Sequence, residues 1–210
     1  YHSPPLIPPA ILPFEETFND IMTGIQNTAL SYNIFTPLYN THNNVERERK
    51  FLTELLSNKP DGIIVYPCVS LCNLDLYAAI LTEKIPIVCI DRPIEWLETP
   101  LVTSTNANSM CGVVNKLAAN GHKRIGFFSV CEQMAYTENE RFRGFCRGIV
   151  QNGLPLKTEY IFNTYDLHKK EMMSSPAVQR QLFHKYVKNE LLRYLSLEEK
   201  PTAICCMNDT

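Results

Sequence analysis

The fold is indicated most directly by Thr137-Glu138-Asn139-Glu140-Arg141-Phe142-Arg143-Gly144-Phe145. The spacing of Thr137 and Glu140 matches a capping box, which predicts a helix that starts here and carries Arg141 in its first turn. The apolar stretch Ile125-Gly126-Phe127-Phe128 precedes it and is typical of a buried strand. A strand followed by a loop and a helix is the repeating unit of a parallel α/β sheet. Ligands bind such sheets at the carboxyl ends of the strands, so Arg141 is a candidate binding residue.

The same alternation of short apolar strands and amphipathic helices runs along the chain. The predicted strands are Ala10–Leu12, a strand around Pro37 that lies at an edge or contains a bulge, Ile63–Tyr66, Ile85–Ile90, Leu101–Thr103, Ile125–Phe128, Tyr160–Phe162 and Ala203–Met207. The predicted helices cover residues 15–32, a segment opened by Asn43 and Glu46, Asn73–Glu83, a segment from Asn106 or Asn108 to Asn120, Thr137–Gly153, and residues 179–195 with Leu182, Tyr186, Leu191 and Leu195 on the apolar side. This order predicts an α/β fold made of parallel βαβ units.

Size and charge limit the possible classes of function. The chain has 210 residues, of which 45% are hydrophobic and 20% are charged, and its formal net charge is −2. This balance argues against nucleic-acid binding by this segment, because phosphate contacts need a basic surface. No apolar run reaches the roughly 18 residues that a membrane span requires. The start of the chain lacks the pattern of a signal peptide, as the start of a processed secreted protein would too.

The eight cysteines are predicted to be mostly reduced and buried, because several lie in apolar strands, where a thiol packs as a small hydrophobe. A framework of four disulfides is the alternative. A zinc site is disfavoured, since no second Cys or His pair with ligand spacing follows the first two cysteines. No cofactor is predicted. The cysteines are Cys68, Cys72, Cys89, Cys111, Cys131, Cys146, Cys205 and Cys206.

Several side chains at the ends of predicted strands are candidates for a binding site. Asp91-Arg92 directly follows one strand and either forms a turn or binds a ligand, and Asn208 has the same two interpretations. Arg141 is either a solvated arginine beside a helix cap or a guanidinium that binds ligand oxygens. Tyr66 either lines a cleft or packs under a loop. The residue types alone leave both interpretations open in each case.

Two aromatic residues are further candidates, and the motifs of common enzymes are absent. Phe18 belongs to the apolar face of the first helix by periodicity, unless it faces the cleft. Tyr165 lies in a predicted loop, where it either stacks on a ligand ring or covers the surface. The sequence contains no Gly-x-Ser-x-Gly, no His-Glu-x-x-His, and no glycine-rich phosphate loop. These absences predict that the protein is not an enzyme.

Several short motifs, in this order, resemble the effector-binding region of the LacI/GalR family of regulators, which shares its fold with periplasmic sugar-binding proteins. Each motif is weakly specific alone, and together they cover about residues 11–210. They are Phe18 with Gly24-Ile25, Arg47-Glu48 with Leu55-Leu56, Asp61-Gly62-Ile63-Ile64, Pro86-Ile87-Val88 with Asp91-Arg92, Gly121-His122-Lys123-Arg124-Ile125, Glu140-Arg141 with Gly144-Phe145, and Pro201-Thr202-Ala203-Ile204 with Asn208-Asp209.

The resemblance implies two Rossmann-like lobes with parallel sheets, an N-terminal lobe over residues 1–121 and the first part of a C-terminal lobe over 122–210. The second lobe is expected to be incomplete and to expose apolar surface. Thr105-Asn106 departs from the usual Asp-Asn pair of the family. The positions that match the family's cleft are Phe18, Tyr66, Asp91, Arg92, Arg141 and Asn208, with Tyr165 as a looser match.

The function implied by the resemblance is that of an effector sensor. A small-molecule effector, a sugar by expectation, binds between the lobes and controls DNA binding by a module absent from this chain. The implied protein is a cytoplasmic homodimer with no membrane association. The alternative is a periplasmic-type sugar-binding protein or sensor domain, and an enzyme on the same fold is a third possibility.

Overall fold

The computed structural model of the chain describes residues 8–12, 16–68, 72–129, 136–163 and 176–207. Contacts divide the chain into two compact units, Tyr1–Ser104 and Thr105–Thr210. Each unit carries its own parallel sheet. None of the described helices is both long and apolar enough to cross a membrane.

The first unit is a five-stranded parallel sheet with helices on both faces. Its strand order is β2-β1-β3-β4-β5, and every neighbouring pair is parallel. The strands are β1 Ala10–Leu12, β2 Leu38–Asn40, β3 Ile63–Val65, β4 Ile87–Ile90 and β5 Leu101–Val102. The helices are α1 Glu16–Ser31, α2 Val45–Asn58 and α3 Leu74–Thr82. The predicted edge position of the strand near Pro37 is confirmed, because β2 ends the sheet.

Alternate residues of β3 point to opposite faces and so divide the core of the first unit in two. Ile63 and Val65 pack with Leu52 of α2 and Tyr77 of α3 in one cluster. Ile64 lies on the other face, against the cluster that contains α1. Burial on both faces explains why the central strands are apolar throughout rather than alternating.

The start of α2 differs from the prediction by one residue. The amide oxygen Oδ1 of Asn44, not of Asn43, accepts a hydrogen bond from the backbone N–H of Arg47 at 2.9 Å. Asn43 instead adopts a left-handed backbone conformation with φ 53° in the preceding turn, a conformation that Asn tolerates better than most residues. Asn43 and Asn44 have the same capping group, and the turn places the side chain of Asn44 where it accepts from the first turn of the helix.

The second unit contains a three-stranded parallel sheet in the order β7-β6-β8. Its strands are β6 Ile125–Ser129, β7 Ile161–Asn163 and β8 Ala203–Cys206. Its helices are α4 Asn106–Ala119, α5 Tyr136–Gln151 and α6 Pro176–Ser196, with a short 3₁₀ turn at Thr158–Tyr160. The α/β fold with parallel sheets is therefore confirmed.

Helix α4 belongs to the second unit, whereas the sequence analysis placed the boundary after residue 121. The division falls between Ser104 and Thr105 because α4 packs closely against α5. The two helices approach where α5 carries glycine. A Cβ on Gly144 would lie 2.1 Å from the carbonyl oxygen of Ala107, and one on Gly148 would lie 2.6 Å from the Cβ of Val114.

The predicted apolar side of α6 is wrong at two positions, since Leu191 and Leu195 are 46% and 57% exposed. The side chains of Arg193 and Tyr194 contact the sheet instead. The guanidinium of Arg193 lies 4.5 Å from the ring centroid of Phe162, and the hydroxyl of Tyr194 donates to the carbonyl of Pro201 at 2.8 Å. Long side chains with apolar stems can cover a sheet as leucine does, which periodicity of apolar residues does not detect.

The close approach of α4 and α5 leads to a stability prediction. Gly144→Ala should destabilise the chain by about 3 kcal/mol, because the new methyl group would overlap backbone atoms of α4 and the helices would have to separate. Gly112→Ala is the matched control, since the Cβ would meet nothing within 4 Å, and it should stabilise α4 by up to about 1 kcal/mol. Urea denaturation followed by circular dichroism measures both. Equal stability of the two variants would contradict the packing.

Candidate functional site

The first unit gathers polar groups where β3 and β4 end. Tyr66 directly follows β3, and Asp91-Arg92 directly follows β4. The two strands are adjacent and parallel, with Val65 paired to Cys89, so their carboxyl ends lie at one edge of the sheet. The candidate residues Tyr66, Asp91 and Arg92 are therefore brought together, as the sequence predicted from their positions.

Arg92 is held by the segment that leaves β3. Its guanidinium carbon lies 4.3 Å from the ring centroid of Tyr66, and its Nη2 donates a hydrogen bond to the Tyr66 hydroxyl. Its Nη1 donates to the carbonyl oxygen of Cys68 at 3.2 Å. The Nε–H is buried, has no hydrogen-bond acceptor in the described part of the chain, and lies with its nitrogen 3.9 Å from Oδ2 of Asp91. Arg92 is thus oriented by two acceptors, and its buried Nε–H has none among the described residues.

Asp91 is held by its backbone. Its N–H donates to the carbonyl of Val102 and its carbonyl accepts from the Thr103 hydroxyl, each at 2.8 Å. Its backbone is left-handed, with φ 67°. The carboxylate is 32% exposed, beside the 18% exposed side chain of Arg92. The Asp91 carboxylate and the Arg92 guanidinium therefore lie side by side, and each side chain is partly exposed.

Phe18 forms the apolar floor of this group. It lies in the first turn of α1, and its ring meets the Tyr66 ring edge-on with centroids 4.6 Å apart. It is buried in a cluster with Met22 and Ile90. Phe18 is therefore a core residue, as its periodicity predicted, and it also supports the aromatic ring on which Arg92 rests.

In the second unit, Arg141 joins three elements. Its Nε donates to Oδ1 of Asn106, the first residue of α4, at 2.8 Å, and its Nη1 donates to the carbonyl of Met207 just after β8 at 2.7 Å. Asn106 is buried. Helix α5 begins at Tyr136, one residue before the predicted cap Thr137. Arg141 is therefore not a freely solvated arginine.

Asn106 was missed as a partner of Arg141, because its position suggested a helix cap. In the structure Thr105 takes the N-cap position, without a capping bond from its side chain. The two remaining candidates, Tyr165 and Asn208, lie outside the described residues. Their proposed roles stay predictions.

A buried carboxylate behind the first group was also missed. Glu48 of α2 is 0% exposed, and it accepts hydrogen bonds from the backbone N–H of Cys68 at 2.6 Å and from Nδ2 of Asn73 at 3.0 Å. A glutamate on an amphipathic helix is usually solvated, and although Glu48 belongs to the Arg47-Glu48 motif of the resemblance, no role followed for it from that motif. Asn73 was expected to cap α3, and it makes no capping bond with its side chain.

The cysteines of the described residues are free thiols. They are Cys68, Cys72, Cys89, Cys111, Cys146, Cys205 and Cys206. Burial, followed by the negative charge of Glu48, raises the pKa of Cys68 to about 12. Burial raises the pKa of Cys205 to about 11. The described residues contain no cluster of three or more His, Cys, Asp or Glu side chains that could hold a metal ion.

Residues 6–210 match the family described as periplasmic binding proteins and the sugar binding domain of the LacI family. The chain belongs to this family. The resemblance inferred from the sequence motifs is confirmed. The match also accounts for the parallel α/β architecture of both units.

Relatives of this LacI-family chain include an arabinose metabolism transcriptional repressor of Geobacillus stearothermophilus. It is 27% identical over 196 residues, which cover 91% of this chain and 50% of the repressor. A solved LacI-family regulatory protein from Chloroflexus aggregans has a TM-score of 0.70 at 18% identity, covering 97% of this chain and 69% of that chain. The Cra transcriptional dual regulator from Pseudomonas putida, in complex with fructose 1-phosphate, has a TM-score of 0.65 at 14% identity, covering 95% and 68%.

The two kinds of likeness support different statements. The solved structures, at these low identities, show the fold. The chain spans about half the length of the curated relatives it matches. Those relatives are transcriptional regulators and not enzymes, which agrees with the lack of catalytic motifs in this LacI-family chain.

Adjacent thiols in β8 give a test of this part of the structure. Cys205 is buried and Cys206 is exposed. At pH 8 a pKa of about 11 leaves roughly one Cys205 in a thousand as the reactive thiolate, and a pKa of about 12 leaves roughly one Cys68 in ten thousand. Iodoacetamide should therefore label Cys206 in the native chain and leave Cys68 and Cys205 unlabelled until denaturant is added. Fragment mass spectrometry distinguishes the neighbours, and equal native labelling of Cys205 and Cys206 would contradict the assignment.

Proposed function

We propose that the chain is the effector-sensing part of a LacI-type transcriptional regulator that binds a sugar or related small molecule. Binding would control a DNA-binding module that is not part of these 210 residues. The observation that carries the proposal is the pairing of Arg92 and Asp91 over an aromatic floor at the carboxyl ends of β3 and β4, in a chain of this family. We further propose a cytoplasmic homodimer, as expected for a bacterial regulator of this kind.

The chemistry of the first group suits a hydroxylated ligand. A sugar hydroxyl both donates and accepts hydrogen bonds, so it can accept from a guanidinium and donate to a carboxylate at once. The partly exposed side chains of Arg92 and Asp91 supply donors and an acceptor, with Nε and Oδ2 3.9 Å apart. Hydrogen bonds to charged groups are stronger than neutral ones. Two neighbouring hydroxyls of a sugar ring would bind the guanidinium and the carboxylate together, and the ligand itself would carry no charge.

Arg141 is proposed as a ligand-binding residue of the second unit. Its bonds to Asn106 and Met207 fix the direction of the guanidinium at the carboxyl end of β8. A preorganised guanidinium loses little conformational entropy when it binds ligand oxygens. Asn208, which follows Met207 in the sequence, and Tyr165 remain proposed ligand contacts.

The relatives suggest which ligands to try first. The regulator from Pseudomonas putida is bound to fructose 1-phosphate, and the repressor from Geobacillus stearothermophilus is named for arabinose metabolism. We infer a small carbohydrate as the class of effector for this chain. The individual sugar is a matter for measurement.

Titration calorimetry against a panel of pentoses, hexoses and their phosphates tests the proposal. One member of the panel should bind, and Arg141→Ala should weaken its binding by about 10- to 100-fold, since a charge-assisted hydrogen bond contributes about 1.5–3 kcal/mol. Arg143→Ala is the matched control on the same helix, because Arg143 is 77% exposed and pairs with Glu140. It should bind as the unmodified chain does.

Two results would contradict the proposal. If the protein binds no sugar, a carbohydrate is excluded as its class of effector. Unchanged affinity in Arg141→Ala, with the folded state verified by circular dichroism, would remove Arg141 from the site. Asp91→Asn provides an independent check in the first unit, where about a tenfold loss of affinity is expected from loss of the charged acceptor.

A periplasmic-type sugar-binding protein or sensor domain is the second candidate, because the family includes periplasmic binding proteins. The two candidates share the proposed ligand site and differ in the neighbouring segments of the gene product. A helix-turn-helix head ahead of this region would support the regulator. A secretion leader would support the second candidate.

A further inference from the structure

We propose that Glu48 is a positioning residue for effector binding, which acts by fixing the main chain of Cys68 so that Arg92 is held ready for ligand. The inference rests on the proposed function of the Asp91–Arg92 group. It concerns a residue with no exposed surface, which cannot touch the ligand itself.

Complete burial of Glu48 calls for an explanation. Burial of a carboxylate is costly unless it is hydrogen-bonded, and an apolar residue of similar size would satisfy the helix pattern of α2 without that cost. Both carboxylate oxygens are used. Oε2 accepts from the Cys68 N–H at 2.6 Å, and Oε1 accepts from Nδ2 of Asn73 at 3.0 Å. One buried charge therefore anchors residues 68 and 73 together.

The anchored backbone leads directly to Arg92. Cys68 is held on one side through its N–H by Glu48, and on the other its carbonyl accepts from Nη1 of Arg92 at 3.2 Å. The second terminal nitrogen of Arg92 is bound by Tyr66. A shift of Cys68 would thus move one of the two acceptors that orient the guanidinium. The path from Glu48 to the Arg92 guanidinium therefore passes through a single residue, Cys68.

Asn73 keeps Glu48 itself in place. Its Nδ2 also donates to the carbonyl of Val45 at 3.1 Å, and its Oδ1 accepts from Nη1 of Arg49 at 3.3 Å. Arg49 in turn forms an ion pair with Asp75 at 2.8 Å. The start of α2 and the start of α3 are therefore joined around the carboxylate. This network holds the carboxylate that accepts from the Cys68 N–H.

Glu48→Gln tests the proposal with little change in shape. The amide can accept only one of the two hydrogen bonds and presents a donor to the other partner. The Kd for the sugar found by calorimetry should rise by about tenfold, and the Cys68 amide should exchange with solvent at least about tenfold faster, relative to the amide of Val65, as measured by NMR. If Glu48→Gln does not fold, Glu48→Asp, whose carboxylate is one methylene shorter, should change both quantities in the same direction.

Two controls on α2 separate positioning from general stability. Glu46→Gln alters an exposed residue of the first turn and should leave the affinity and the exchange unchanged. Leu52→Ala alters a fully buried core residue and should lower stability without changing the Kd of the folded protein. If Leu52→Ala weakens binding as much as Glu48→Gln does, the effect is one of stability and the proposal is wrong.

The remaining outcomes distinguish this inference from the proposed function. A normal Kd and normal Cys68 exchange in Glu48→Gln, with binding by the unmodified chain, would overturn the role of Glu48 and leave the sensor function intact. If the unmodified chain binds no sugar, the proposed function fails. Hydrogen exchange of the Cys68 amide then remains as the test of the Glu48 anchor. Faster exchange at Cys68 in Glu48→Gln then supports the anchor, and unchanged exchange overturns it.

Discussion

Parallel strands that are buried on both faces can present polar side chains only where they end. In this chain the central strands are apolar throughout, and the functional candidates stand immediately after them. Because β3 and β4 are adjacent and run in the same direction, Tyr66 and Asp91-Arg92 reach the same edge of the sheet. The candidate site of the first unit follows from this one constraint, and its chemistry follows from the residue types at those positions.

The groups at the strand ends are rigid because the core behind them is connected by hydrogen bonds. Arg92 rests on an aromatic ring, which rests edge-on against Phe18, and its acceptors belong to the chain segment that leaves β3. Glu48 lies on α2, which packs on the other face of the sheet, and its carboxylate binds the N–H of Cys68 in that segment. A buried charge that joins the starts of two helices thereby helps to set the geometry of residues on the surface.

The second unit reaches a comparable result through close helix packing. Gly144 lets α5 approach the backbone of α4 at Ala107, and the neighbouring Asn106 is then within 2.8 Å of Arg141. The glycines therefore affect both stability and the orientation of the candidate guanidinium. The contacts of Gly144 and Asn106 explain how this chain maintains the arrangement.

The sequence by itself determined the α/β class, most helices and strands, the family, and the candidates Phe18, Tyr66, Asp91, Arg92 and Arg141, because apolar periodicity and strand-end position are local properties. Only the tertiary structure decided the unit to which α4 belongs, the cap at Asn44, the exposed side of α6 and the partners of Arg141. It alone revealed that Glu48 is buried while Glu46 is exposed. Those outcomes depend on which residues meet across distant parts of the chain, and a linear pattern contains no record of such contacts.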